Sequence, residues 1–421
     1  MGRFPLMLPR YEVGGETRGL HRLILVAGLY LAQGIPWGFA TITLAALLAE
    51  QGIDEAVIGK MLAAVVLPWS FKFIGGPIVD GICLPGGRRR PWILIAQAGM
   101  ILTLIGLSRC GLDTPEQLTA WLLAHNIFAA LQDVATDALA VDLMSDKERG
   151  RANGIMYGAK YGGTAIGGAG IALLIAQFGW SVGTMAQVAF VGLISLLPIL
   201  LREPKPSPGD GPGPVPMFNV ILSVLRRQVF WWTLALCLMI GLPSALLAPL
   251  SNTLFIDQYG WTAAEWSVLN GGPGVTAGLV GAVAGGFLVS RYGPGAVGLA
   301  AAFIHAAALL IFPLAPELFA NTSVVGITVM LQALTAGAVV VASFTLAMRV
   351  APTILAASLF TGLMAMQNLS STIGYWATAY LPDDPSEAWS VAGAIWILVG
   401  GLSWAAGRAG RPDAPPNPND L

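Results

Sequence analysis

The chain has 421 residues, of which 55% are hydrophobic and only 11% charged, with 52 Gly and a formal net charge of −1; its mean hydropathy is +0.71. A soluble domain carries about 25% charged residues, so this composition excludes an ordinary soluble enzyme and defines a chain that crosses a membrane repeatedly. A near-neutral balance gives no basic surface for nucleic acid, and Cys83, Cys110 and Cys237 stand too far apart for a redox or metal motif.

In chain order, a basic N-terminal tail, "MGRFPLMLPRYEVGGETRGLHR", precedes the first apolar run, and no cleavable signal is expected. Twelve segments are long enough to cross a ~30 Å hydrocarbon core: 22–49, 57–80, 91–109, 117–143, 150–177, 181–201, 229–256, 264–290, 294–315, 321–348, 352–380 and 389–407. With that alternation, all of the 22 basic residues except Lys60, Lys72, Arg109 and Lys160 fall on one side. The excess marks the cytoplasmic face and predicts cytoplasmic N- and C-termini. Residues 202–228, "REPKPSPGDGPGPVPMFNVILSVLRRQ", are rich in Pro and Gly at their centre and read as a flexible linker. They divide the chain into a six-helix bundle over 1–201 and a second over 229–421. The halves echo each other: "AQGIPWG" with "IGLPSAL", and "GGPIVDG" with "GGFLVSRYG". Two like halves around a central linker resemble the layout of the major facilitator superfamily. That resemblance implies an all-α membrane fold of twelve helices.

Four charges lie well inside spans: Lys72, Asp133, Asp137 and Lys160. At a helix centre each costs about 2.5–3.5 kcal/mol. Four isolated ones would cost on the order of 10 kcal/mol, comparable to a domain's stability. They are therefore expected to meet. Lys72 precedes Asp80 by eight residues, Asp133 precedes Asp142 by nine, and Lys160 follows Arg151 by nine. At a rise of ~1.5 Å per residue, all three lie ~12–14 Å from the cytoplasmic boundary. Asp137 is one turn from Asp133 on the same face. Two readings stay open for this constellation: a proton relay or anchor for a polar solute, or ion pairs that fix helix packing.

The second half offers neutral groups at similar depth, including Asn270, Gln332, Gln367, Asn368 and Tyr375. His305, in an apolar run, reads as a packed neutral imidazole. Aromatic residues near the same level, Tyr30, Trp37, Trp69, Tyr157, Tyr161 and Trp376, suit either a sugar or catechol ring or ordinary packing. The candidate solute contacts are Gln33, Trp37, Lys72, Gln132, Asp133, Tyr157, Asn270, Gln367 and Asn368.

"GGPIVDGICLPGGRRR", residues 75–90, fits the G-x-x-x-D…R-R loop of the superfamily. It resembles a conformational latch built from Gly76, which allows close helix approach, Asp80, and Arg88, Arg89 and Arg90. "LPWSFKFIGGPIVD" (67–80) with "ALQDVATDALAVDLMSDKERG" (130–150), and "QGIPWGF" (33–39), resemble the AmpG-type muropeptide permease branch, which includes acetyl-coenzyme A transporters and is similar to siderophore-uptake permeases. The sequence departs from that branch at Ala140, where a basic residue is common. The resemblance implies a secondary active transporter of the bacterial cytoplasmic (inner) membrane, driven by proton symport, with Gln132 and Asp133 important. The implied partners are a sizeable polar solute (muropeptide-like, siderophore or acyl-coenzyme A), protons and the lipid bilayer, with a monomer as the default state. Two alternatives are a proton-coupled exporter of drugs or metabolites, and a non-transporting assembly factor or receptor. No cofactor or metal is expected, and no G-x-x-x-x-G-K-[ST], H-E-x-x-H or G-x-S-x-G motif marks an ATPase or enzyme.

Overall fold

The computed structural model describes residues 16–82, 84–85, 87–143, 146–200, 224–350, 356–382 and 384–410. Among these residues no strand forms beyond one bridge between Leu84 and Gly87, and the chain folds into twelve long helices. We number them α1 (Glu16–Gly38, extended through Phe39–Leu44 and Ala45–Glu50), α2 (Glu55–Ser70, then Lys72–Ile74 and Gly75–Gly81), α3 (Arg90–Leu107), α4 (Pro115–Leu143), α5 (Asp146–Ala165, continued by Ile166–Gly170 and Ile171–Phe178) and α6 (Trp180–Leu200). The second half adds α7 (Gln228–Ile240, Leu242–Thr253 and Leu254–Gln258), α8 (Ala263–Leu269, Asn270–Gly274 and Val275–Tyr292), α9 (Pro294–Leu314), α10 (Thr322–Val350), α11 (Ala356–Ala377) and α12 (Pro385–Ala409).

Ten of the twelve are long and apolar enough to cross a membrane. The exceptions, α4 and α11, fail on polarity rather than length. The first carries His125, Asn126, Gln132, Asp133 and Asp137, and the second Gln367, Asn368, Ser370, Ser371, Thr372 and Tyr375. Local chemistry starts and stops the helices. Thr262 and Glu265 form a capping box at the start of α8. The Asp384 side chain caps α12 by accepting from the Ser386 amide. Gly293, at φ 83°, turns α8 into α9 in a conformation that side chains disfavour.

The chain groups into two compact units, one of residues 1–40 with 71–216 and the other of residues 41–70 with 217–421. In the first, α1 packs along α5, and α3 packs on α4 and α6. In the second, α9 packs on α10 and α12, α8 on α10, and α7 on α11 and α12. Most of the 202–228 linker read from the sequence lies outside the described residues. Compactness draws a different line from the linker, because residues 41–70 pack against α11 and the Leu242–Thr253 part of α7. The contacts are specific. The Asn368 amide donates to the Trp69 carbonyl at 3.2 Å, and the Ser70 and Thr372 hydroxyls lie 3.3 Å apart. Glu50 accepts the backbone N–H of Ala263, at the start of α8, at 2.9 Å. Gly59 lies so close to the Tyr375 carbonyl that a side chain there would collide with it.

The echo between halves is visible as a shared register. Gly34 abuts the backbone of Lys160, and Gly241 that of Gln367; Gly167 abuts the carbonyl of Ile35, and Gly374 that of Leu242. In each pair of contacts both partners differ by 207 positions, so α1 packs on α5 as α7 packs on α11. Near the ends of the same helices, Arg22 donates to the Leu143 carbonyl at 2.9 Å and Arg227 to the Val350 carbonyl at 3.4 Å. Those carbonyls, at the C-termini of α4 and α10, again lie 207 positions apart.

Candidate functional site

The site is assembled inside the first unit from α1, α2, α4 and α5. The second span is not continuous, as its apolar run leads one to expect. Pro68 removes a backbone donor, the α-helix stops at Ser70, and a 3-10 turn over Lys72–Ile74 intervenes before helix resumes at Gly75. Lys72 stands on that break. Its Nζ lies 3.0 Å from Asp133 Oδ2, with side-chain exposures of 16% and 3%. The depth count from sequence therefore brought the right pair together. A charge-assisted bond of this kind is stronger than a neutral one, and removing either partner would strand the other in a low-dielectric interior.

One turn along α4, Asp137 accepts a hydrogen bond from the Tyr30 hydroxyl of α1. The Tyr30 ring meets Tyr157 of α5 edge-on, with centroids 6.0 Å apart. Lys160, also on α5, holds its Nζ 5.9 Å from the centre of the Trp37 ring, within cation–π range. Asp137 also feels the charges of Asp133, Lys72 and Lys160. Lys72, Asp133, Asp137, Lys160, Trp37 and Tyr157 thus share one polar neighbourhood. Tyr30 joins them through its hydroxyl, a role that an aromatic residue in a Trp-rich chain does not advertise.

Gln33 and Gln132 sit beside this cluster, packed between helices. Gln132 is fully buried and donates to the Leu29 carbonyl at 3.2 Å, tying α4 to α1. Gln33, one turn along α1 from Leu29, is 2% exposed. In the second unit each candidate has its own hydrogen-bond partner. Asn270 bonds back to Trp266 within α8, and Asn368 holds the end of Glu55–Ser70. Gln367 donates to Ser343 Oγ at 3.0 Å and Cys237 Sγ at 3.6 Å. His305 packs on Trp396 with centroids 4.0 Å apart and lies 3.0 Å from the Thr335 hydroxyl.

The arginines of the loop reach the ends of α4 and α6. The Asp80 side chain lies outside the described residues. Among the described residues, Arg89 pairs with Asp142 near the end of α4, whose Oδ2 lies 3.0 Å from Arg89 Nε. Arg89 also reaches the Val79 carbonyl at 3.4 Å, and Arg90 donates to the Ile199 carbonyl at the end of α6. Arg88 is partly buried beside them. Among the described residues, a side chain at Gly76 would meet no atom within 4 Å. The neighbouring Gly75 takes the contact, facing Val134.

Residues 26–375 match the family model described as Major Facilitator Superfamily. Among relatives, the chain is 29% identical over 279 residues to the "Anhydromuropeptide permease" of Escherichia coli strain K12, covering 64% of this chain and 55% of that protein. It is 26% identical over 291 residues to "Putative transporter AmpG 4" of Rickettsia conorii, covering 65% of this chain and 69% of that protein. The match therefore spans little more than half the length of the Escherichia coli relative. Among solved structures, a D-xylose–proton symporter superposes with a TM-score of 0.71 at 13% identity, over 91% of this chain and 97% of that one. The nucleoside transporter NupG gives 0.68 at 13% identity, over 92% and 98%. With twelve helices in the described residues and a family match over most of its length, the chain belongs to the Major Facilitator Superfamily, a multi-pass membrane family of transporters rather than enzymes.

Proposed function

We propose that the protein is a secondary active transporter that imports a sizeable polar solute of the anhydromuropeptide kind by proton symport and alternating access. The observation that carries this reading is the Lys72–Asp133 pair at 3.0 Å, with Asp137 one turn away. Ionisable residues within spans mark solute and proton pathways. A carboxylate whose partner sits on a different helix links its charge state to helix position. The named permease of Escherichia coli supports muropeptide as the cargo, ahead of siderophores and acyl-coenzyme A. In this reading the protein lies in the cytoplasmic membrane with both termini in the cytoplasm, and Arg89–Asp142 belongs to the cytoplasmic latch.

Reconstituted vesicles with an imposed pH gradient test the mechanism. The wild-type chain should accumulate radiolabelled anhydromuropeptide, and Asp133→Asn should lose that accumulation while still inserting and folding. Full uptake by the variant would remove Asp133 from coupling, and efflux under the same gradient would reverse the direction. Thermal shifts of the purified chain against an anhydromuropeptide, a ferric siderophore and an acyl-coenzyme A identify the cargo, since only a bound solute raises Tm.

A further inference from the structure

Tyr30 is the group in the first unit whose chemistry exceeds its packing. Its ring sits in a cluster with Val26 of α1, Ala140 of α4 and Met156 of α5, and Phe would fill that space equally well. The hydroxyl is what Phe lacks, and it is spent on Asp137. Around Asp137 stand Asp133 on its own helix, Lys72 from α2, Tyr30 from α1, and Lys160 and Tyr157 from α5. The Lys72 ammonium is bonded to Asp133. Asp137 takes its direct hydrogen bond from a neutral donor.

We infer that Tyr30 is the positioning residue for the proton carried by Asp137. The inference rests on the proton-symport reading and extends it to one bond. While α1 and α4 are apposed as here, the Tyr30 O–H supports the charged carboxylate. Displacement of α1 along α4 breaks that bond. The half-buried carboxylate, beside the like charge of Asp133 and without its donor, then binds a proton from the aqueous phase. One O–H bond forms on Asp137, and Tyr30 keeps its own proton throughout. Because the bond joins two helices, it converts their relative movement into a change of charge. The matching site in the second unit lacks the device: 207 positions on from Tyr30 stands Cys237, and on from Asp137 stands Phe344.

Infrared difference spectroscopy of the full chain in lipid nanodiscs, stepped across pH, tests this without a cargo. A carbonyl band of a protonated carboxyl group should be present in the wild type and absent in Asp137→Asn. In Tyr30→Phe the titration midpoint of the band should move to higher pH, because the donor that favours the charged form is gone, while Tm stays within a degree or two. A band that Asp137→Asn leaves intact would overturn Asp137 as the proton carrier and the inference with it, whereas the symport reading stands or falls with the uptake of Asp133→Asn. A band that belongs to Asp137 but keeps its titration midpoint in Tyr30→Phe would overturn the role of Tyr30 alone. Should Tyr30→Phe fail to fold, 3-fluorotyrosine at position 30 replaces it. Its stronger donor should move the midpoint of the same band to lower pH, and no movement would again exclude the role.

Discussion

At the level where α1 meets α4 and α5, the first unit holds a lysine–aspartate pair, a second aspartate and a second lysine. At the equivalent level, where α7 meets α10 and α11, the second unit holds Gln367, Ser343 and Cys237, joined by hydrogen bonds of 3.0 and 3.6 Å. The backbone frame is the same: glycines 207 positions apart bring the same helices together in both units. Gln367 stands where the frame places Lys160, and Cys237 where it places Tyr30. The frame alone therefore does not require charge. A neutral amide satisfied by a hydroxyl and a thiol holds α7, α10 and α11 at little desolvation cost. The charges of the first unit are an added expense, which is the physical ground for assigning them work beyond packing.

The comparison can be broken most forcefully at Lys72. Lys72→Ala leaves Asp133 buried without its partner and should lower stability by about 3–5 kcal/mol. The double variant Lys72→Ala with Asp133→Asn should recover at least ~1 kcal/mol of that loss. Thermal unfolding in detergent measures both, and a double variant no better than the single would show that the pair is not coupled. Moving the charge across is the next largest effect. Gln367→Lys puts an ammonium where no carboxylate waits and should cost about 3 kcal/mol; an unchanged Tm would mean that the second frame is more tolerant than its neutral lining implies. Gly167→Val and Gly374→Val should each cost about 1–3 kcal/mol, because both force a side chain against a neighbouring carbonyl. Similar losses sharpen the claim of one frame used twice, whereas a large difference would reduce the shared register to coincidence. The smallest effect is Gln367→Leu, about 1 kcal/mol, for one neutral network lost.

Much of this was legible in sequence, for identifiable reasons. Lys72 and Asp133 could be matched because helical rise is constant, so counting from the charged end of each span gives depth. Depth does not give azimuth, and that is where the reading stopped. Tyr30 carries a hydroxyl that reaches Asp137 across 107 positions of sequence, and nothing in its local pattern separates it from a packing aromatic. Arg89 and Asp142 lie 53 positions apart, and only the tertiary arrangement brings the carboxylate to Nε. The interruption of α2 at Lys72 is announced by Pro68 and by Gly75–Gly76, but a continuous apolar run masks both.

The attachment of residues 41–70 to α11 and to the start of α8 bears on how the molecule would come apart. Those residues belong to the first half by sequence, yet Glu50, Trp69 and Ser70 are hydrogen-bonded to Ala263, Asn368 and Thr372. Severing the polypeptide between the sixth and seventh helices would leave a stitched seam, so the two fragments should travel as one particle through size-exclusion chromatography until those bonds are undone.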